Sequence, residues 1–293
     1  MTSASPQSHE PPPPGRPPTF LFIGGQRCAS NWIYRCLSEH PEVHTPEGAD
    51  LAIQGEIHYF DNHFDKGPEW YCRHFQPGPE HRAWGEKTPD YLSVPEVAGR
   101  IREMLPEVRL LCCLREPGDR AYSRYQGKRY GEGYASFEDA IASDESLLVM
   151  GRYAEHLRRW FDLFPREQIL VLLYDELWRN EARFIRQIYA HVGVDDGYRP
   201  SWLGKKTNAV VFPRLRHRLR QMGLEPVVRT VAKTPIGAAV RSWNRNRVKP
   251  AYEAMSDRVR TMLDEYFQQP NRELEQLLGV DLSAWRPRRE PRA

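Results

Sequence analysis

No apolar run in the chain approaches the roughly 18 residues that a membrane span requires. The first 18 residues, rich in proline and serine, lack the apolar core of a signal peptide. Residues 1–18 therefore read as a disordered leader. Cysteine is scarce and odd in number: Cys28, Cys36, Cys72, Cys112 and Cys113, with no C-x-x-C pair matched by a second half. That pattern indicates neither a disulfide frame nor a zinc site, and a reducing cytoplasm suits it best; no metal is expected. Excess charge is also lacking. A net +3 does not by itself imply a polyanion partner, and without a nucleic-acid motif beside it no nucleic acid is expected. No internal repeat is visible. What remains is a chain of 293 residues, long enough for one large α/β domain with a sizeable core.

The chain is organised around Phe20–Leu37. Phe20 to Ile23 is a short apolar run that reads as a buried strand, and helical spacing resumes at Ile33, Cys36 and Leu37. Between them lies a loop of small and polar residues, Gly24-Gly25-Gln26-Arg27-Cys28-Ala29-Ser30-Asn31. A strand, tight loop and helix present unpaired N–H groups and the positive end of the helix dipole to an anion. Ser30 and Asn31 add hydrogen bonds and Arg27 a fixed charge. An ordinary βα turn is the alternative. The ATP-binding loop G-x-x-x-x-G-K-[ST] fails here, because Ala29 and Ser30 stand where glycine and lysine belong.

Further along, Glu56 and His58 lie two apart, so an extended segment would turn both to one side as an acid–base pair; a surface pair on a loop is the plain alternative. Ala83–Glu86 reads as a strand ending at Lys87, a cation that faces either solvent or a ligand. Arg109–Leu114 reads as a buried strand, and Ile169–Tyr174 as another. An arginine leaving a strand end (Arg115) and a serine eight residues later on the following helix (Ser123) can grip one phosphate together. Arg120 suits a structural ion pair on its own helix, and Tyr122 and Tyr125 suit core packing. Amphipathic helices are predicted through Val97–Leu105, through Tyr153–Phe164, and through Val259–Phe267, and Ser136-Phe137-Glu138-Asp139 fits a capping box. Asp175-Glu176 at a strand end resembles the Mg²⁺-binding strand of ATPases. From Arg214 to Lys249 there are ten Arg or Lys and one acid, Glu225. That basic amphipathic stretch would lie on an anionic membrane, meet an acidic partner, or form a solvated lid.

Four of these stretches resemble, in order, the motifs of the sulfotransferases that use 3′-phosphoadenosine 5′-phosphosulfate (PAPS). The loop is similar to G-x-x-[KR]-[SC]-G-T-[TS]-[WY], with departures at Ala29, Ser30 and Asn31. Gly55-Glu56-Ile57-His58-Tyr59-Phe60-Asp61 resembles the segment with the family's catalytic glutamate. Gln54-Gly55 replaces the lysine frequent before it, and Lys66-Gly67-Pro68-Glu69-Trp70-Tyr71 follows as it does there. Gly85-Glu86-Lys87-Thr88-Pro89-Asp90-Tyr91 looks like G-E-K-[ST]-P-x-Y. Leu114-Arg115-Glu116-Pro117 through Arg120, Ser123 and Tyr125 matches the 3′-phosphate motif at every fixed place. The likeness is to bacterial members and to the heparan-sulfate/carbohydrate sulfotransferase type, spans about residues 19–287 with 288–293 as a tail, and is weakest in a basic lid or insert at 213–250.

The resemblance implies a single α/β domain: a P-loop-like parallel sheet with helices on both sides and the ligand at the strands' carboxyl ends. It implies PAPS as donor, held by Gly25, Gln26, Arg27, Cys28, Ala29, Ser30, Asn31, Trp32, Arg115 and Ser123. A basic loop at Lys205, Lys206 and Thr207 would close over it. It implies in-line transfer to a hydroxyl or amine, with Glu56 as general base, His58 orienting it or sharing that role, and Lys87 and Arg27 neutralising charge on the leaving phosphate. The expected acceptor is a small metabolite, a carbohydrate or a glycolipid. Peripheral membrane contact through 213–250 would make the cytoplasmic protein membrane-associated. Three readings compete: a P-loop NTPase, a small-molecule kinase and a non-catalytic nucleotide-binding protein.

Overall fold

A computed structural model of the chain describes residues 15–46, 55–205 and 255–285. Its five strands are all parallel: β1 (Phe20–Gly24), β2 (Val43–His44), β3 (Ala83–Lys87), β4 (Arg109–Leu114) and β5 (Ile169–Leu173), ordered β2-β3-β1-β4-β5. Four were expected within a residue of their bounds. The fifth, β2, is two residues long and carries no readable alternation.

Central strands covered on both faces read as unbroken apolar runs. In β1, Phe20 and Phe22 point to one core and Leu21 and Ile23 to the other. Numbering only helices of seven residues or more, α1 (Ser30–Glu39) and α6 (Glu181–Val192) cover the phenylalanine face through Trp32, Ile33, Phe184 and Ile188. On the opposite face, α2 (Val97–Met104) and α5 (Tyr153–Leu163) bury Val97, Ile101, Leu157 and Trp160. A third cluster joins α3 (Pro117–Glu132), α4 (Phe137–Ser143) and α7 (Asp257–Leu278) through Tyr125, Phe137, Leu263 and Phe267. The expected sheet with helices on both sides is present.

Local chemistry sets the boundaries. The Ser136 hydroxyl accepts the Asp139 N–H at 3.0 Å, as the capping box requires, while Asp139 reaches back to Ala135 rather than to Ser136. Glu116 caps α3 by accepting the N–H groups of Gly118 and Asp119 at 2.8 and 2.6 Å. The helix expected through Val259–Phe267 is longer than that stretch: α7 runs on through Pro270 and stops at left-handed Gly279. Gly85 is needed where it stands, because a Cβ there would sit 2.0 Å from the Phe20 carbonyl oxygen across the sheet. Since every strand is parallel, the segments leaving β1, β3, β4 and β5 all emerge at one edge, where an open α/β sheet binds its ligand.

Candidate active site

The carboxyl end of β3 holds the segment Gly55–His58 in place. Glu86 is almost fully buried, and its carboxylate accepts the Ile57 N–H at 3.0 Å, the Thr88 hydroxyl at 2.6 Å, and the phenols of Tyr71 and Tyr91 at 2.9 and 3.0 Å. Burial raises its pKa, opposed by those bonds. The Lys87 N–H donates to the Gly55 carbonyl at 2.9 Å, and the His58 N–H to the Thr88 hydroxyl at 3.4 Å. Residues 55–58 are thus pinned atom by atom to 86–88. Glu86 was read only as part of a motif, and nothing in the sequence marks it as the anchor.

The pinned segment is not extended. His58 sits in the left-handed region at φ 56, yet its Nε2 still comes within 3.6 Å of Glu56 Oε2. Its Nδ1 is 2.8 Å from Asp61 Oδ2. The Asp61 carboxylate, and then Glu56, push His58 up to about 10 against burial, so the ring is an imidazolium at neutral pH. A protonated ring orients Glu56 but cannot also accept a proton. Lys87, 1% exposed, excludes the solvent-facing alternative. Its ammonium donates to Glu56 Oε1 at 2.6 Å and to Asn31 Oδ1 at 2.8 Å. Burial lowers the Lys87 pKa, with Glu56 opposing. Burial also works to raise Glu56, but the His58 hydrogen bond and the Lys87 charge outweigh it and hold the carboxyl below its ordinary value.

The loop between β1 and α1 turns through two left-handed residues, Arg27 at φ 68 and Ala29 at φ 65. Turns of this kind curl N–H groups into an anion-binding concavity. The conformation also explains why the resembling motif has glycine where this chain has Ala29. The Cys28 and Trp32 side chains are buried and face the core, and the Trp32 N–H is taken by the Ala29 carbonyl at 2.9 Å. Gln26 donates to Asp90 Oδ1 at 3.0 Å. Gly25 donates its N–H to the Cys113 carbonyl at 2.8 Å, which ties the loop to the end of β4.

The side chain of Arg27 runs to α3 and donates from Nε to the Ser123 hydroxyl at 3.2 Å, joining a residue expected at the 5′-phosphate to one expected at the 3′-phosphate. Arg115 leaves β4 with its guanidinium 3.8 Å from Asp119 and over the Tyr174 ring. Lys205 lies near the Trp202 ring and does not line the cleft, whereas Lys206, Thr207 and the stretch 213–250 lie outside the described residues. A cleft of about 300 Å³ opens here. Gln26, Arg27, Ala29, Ser30 and Asn31 line one side, Glu56, His58, Pro89 and Asp90 another, and Arg124, Gly127 and Lys128 of α3 the third. The last three were not anticipated; Arg124, Gly127 and Lys128 are spaced i, i+3, i+4 and so share a helical face, and Gly127 stands four positions after Ser123, which could have suggested them. Asp175, offered as a magnesium ligand, accepts the Trp285 indole N–H at 2.7 Å instead. Arg120 has no carboxylate partner among the described residues, contrary to the ion pair expected of it. No described helix is long and apolar enough to cross a membrane.

A glycine-containing loop at a helix start, beside a buried lysine–carboxylate pair at the carboxyl edge of a parallel sheet, is an arrangement suited to holding an anion next to acid–base groups. The profile of the sulfotransferase domain matches residues 17–201, and the chain belongs to that family. It is similar to human bifunctional heparan sulfate N-deacetylase/N-sulfotransferase 3, with 27% identity over 92% of this chain and 31% of that protein. To the human enzyme 2 of the same name it is 30% identical over 61% of this chain and 22% of that protein. The chain therefore spans under a third of the curated relatives' length. Among solved structures, a sulfotransferase from Alicyclobacillus acidocaldarius shares the fold with a TM-score of 0.67 at 24% identity, covering 93% of this chain and all of that one. A mouse sulfotransferase complexed with PAP gives 0.51 at 12%, over 91% and 90%.

Proposed function

We propose that this chain transfers a sulfuryl group from PAPS to a hydroxyl or amine of a carbohydrate or related metabolite. One observation carries the reading: Lys87, Glu56, His58 and Asp61 form a continuous, largely buried contact array that ends on Asn31 in the first turn of α1. Acid–base groups and the anion loop therefore meet at one point. The donor set suits a phosphosulfate nucleotide, being made of loop N–H groups, Ser30, Arg27 and Arg124, whose buried Nε has no hydrogen-bond partner among the described residues. When bound, PAPS supplies the activated sulfuryl group.

Glu56 receives the acceptor's proton as the new sulfur–oxygen or sulfur–nitrogen bond forms and the bond to the 5′-phosphate breaks. His58, held as imidazolium by Asp61, fixes the Glu56 carboxylate in place. Lys87 balances charge on the departing phosphate, and its burial-lowered pKa suits it to give up a proton there. Arg27, permanently charged, acts only electrostatically. Carbohydrate is favoured as acceptor because the similar curated proteins are named for heparan sulfate.

The test is calorimetric titration with 3′-phosphoadenosine 5′-phosphate (PAP), with and without EDTA, against 5′-AMP and ATP, followed by sulfuryl transfer from PAPS to glucosamine-containing oligosaccharides. Tight metal-independent binding that needs the 3′-phosphate is expected. ATP binding that needs Mg²⁺ would turn the reading toward a kinase or NTPase.

A further inference from the structure

Beside the core side of the loop lies a cation that no acid among the described residues balances by contact. Arg120, in the first turn of α3, is fully buried. Its Nη2 donates to the Leu147 carbonyl, while Nε and Nη1 have no hydrogen-bond partner among the described residues. Burial lowers its pKa, yet a guanidinium stays charged at any ordinary pH. The groups that act on it most strongly are Tyr153 and Cys28, both kept neutral by burial. Glu116 is the acid within electrostatic reach, but its carboxylate is committed to capping α3 and to Arg260 at 3.2 Å.

Cys28 connects this charge to the loop. It is the loop's central residue, its side chain points inward, and its thiol donates to the Gln26 carbonyl at 3.4 Å. The thiol also lies 3.9 Å from the Tyr153 hydroxyl, which donates to the Arg115 carbonyl at 2.9 Å. Of the charged groups acting on the Cys28 thiol, Arg120 acts most strongly, so the buried guanidinium's field reaches the loop from its core side, in a medium that screens it little. An unbalanced buried charge disfavours the ligand-free fold and favours whatever brings the missing countercharge.

We propose that Arg120 is the buried countercharge of the nucleotide: without touching it, the guanidinium strengthens binding of a multiply charged nucleotide and couples that binding to stability. The proposal rests on the sulfotransferase reading for the identity of the anion. It makes Arg120 a positioning residue acting through its field.

The experiment compares the full chain with Arg120→Met and Arg120→Lys by thermal unfolding without ligand and by calorimetric titration with PAP and with 5′-AMP. In Arg120→Met the ligand-free Tm should be unchanged or higher, and PAP affinity should fall by about tenfold or more, with a smaller loss for 5′-AMP, which carries less charge. Arg120→Lys should retain most of the PAP affinity. A Met variant that fails to fold, or melts lower with PAP affinity intact, would show a structural anchor and overturn the proposal. Equal losses in Met and Lys would do the same, because shape rather than charge would then matter. PAP binding in the parent that is unchanged in Arg120→Met sinks only this inference, whereas no PAP binding by the parent sinks the sulfotransferase reading with it.

Discussion

Around Lys87 each charge is answered by contact: its ammonium by Glu56, Glu56 also by His58, and His58 by Asp61. Around α3, a few residues away, Arg27 donates to a neutral serine, and Arg120 and Arg124 keep guanidinium nitrogens without hydrogen-bond partners among the described residues. The difference suits the roles proposed for the two regions. A group that must hold or release a proton on cue needs neighbours that set its pKa. A region that binds a polyanion works best with positive charge left over, since cations already neutralised by protein carboxylates attract a ligand less. Substitutions on each side therefore predict different signatures: lost turnover with binding kept, or lost binding with the chemistry kept.

The largest effect is expected from Glu56→Gln. Removing the base should cost about 10²–10⁴ in kcat while leaving PAP affinity nearly intact. Retained turnover, measured by sulfuryl transfer from PAPS, would break the assignment of the paired region to chemistry. Lys87→Met comes next, with about 10²–10³ expected in kcat. It carries a sharper sign. Lys87 is one of the groups that hold the Glu56 carboxyl low, so its loss raises that pKa and moves the acidic limb of kcat/KM to higher pH. A pH–rate profile that weakens without shifting would mean the pair is structural.

A smaller effect is read through stability. Asp61 is the main group pushing His58 up to about 10, so the imidazolium's contribution is complete below its unfolded pKa of about 6.5 and is lost as pH rises toward 10. Asp61→Asn should flatten that decline in a series of denaturant titrations from pH 6 to 10; an unchanged slope would show that Asp61 does not hold the proton. The smallest effect belongs to the loop. Ala29→Gly relieves a left-handed alanine, and a gain of about 1 kcal/mol is expected by denaturant unfolding, with PAP affinity kept. A loss of stability would show that the alanine is not strained there.

Much of this was legible beforehand because it rests on short-range patterns. Unbroken apolar runs located β1, β4 and β5, the short stretch ending at Lys87 before Pro89 marked β3, and Ser136 with Asp139 marked the start of α4. The Glu56–His58 pair was legible as residues at a spacing, but for a reason the structure alters: a left-handed His58, not an extended strand, brings the two together. Glu86 was illegible as the anchor, because its four donors come from residues 57, 71, 88 and 91 and meet only after the sheet forms. The same holds for Arg27 on Ser123, residues 96 positions apart.

By itself the sequence determined the α/β class, the phosphate-type loop, and the residue types for acid–base chemistry, since propensity, apolar alternation and motif spacing act within one or two turns of chain. Tertiary structure alone decided which charges are answered. Whether Lys87 faces solvent or Glu56, and whether Arg120 finds a carboxylate or lies uncompensated beneath the loop, depends on which distant segments converge at the carboxyl edge of the sheet. Burial then weights every charge by surroundings that no local pattern encodes.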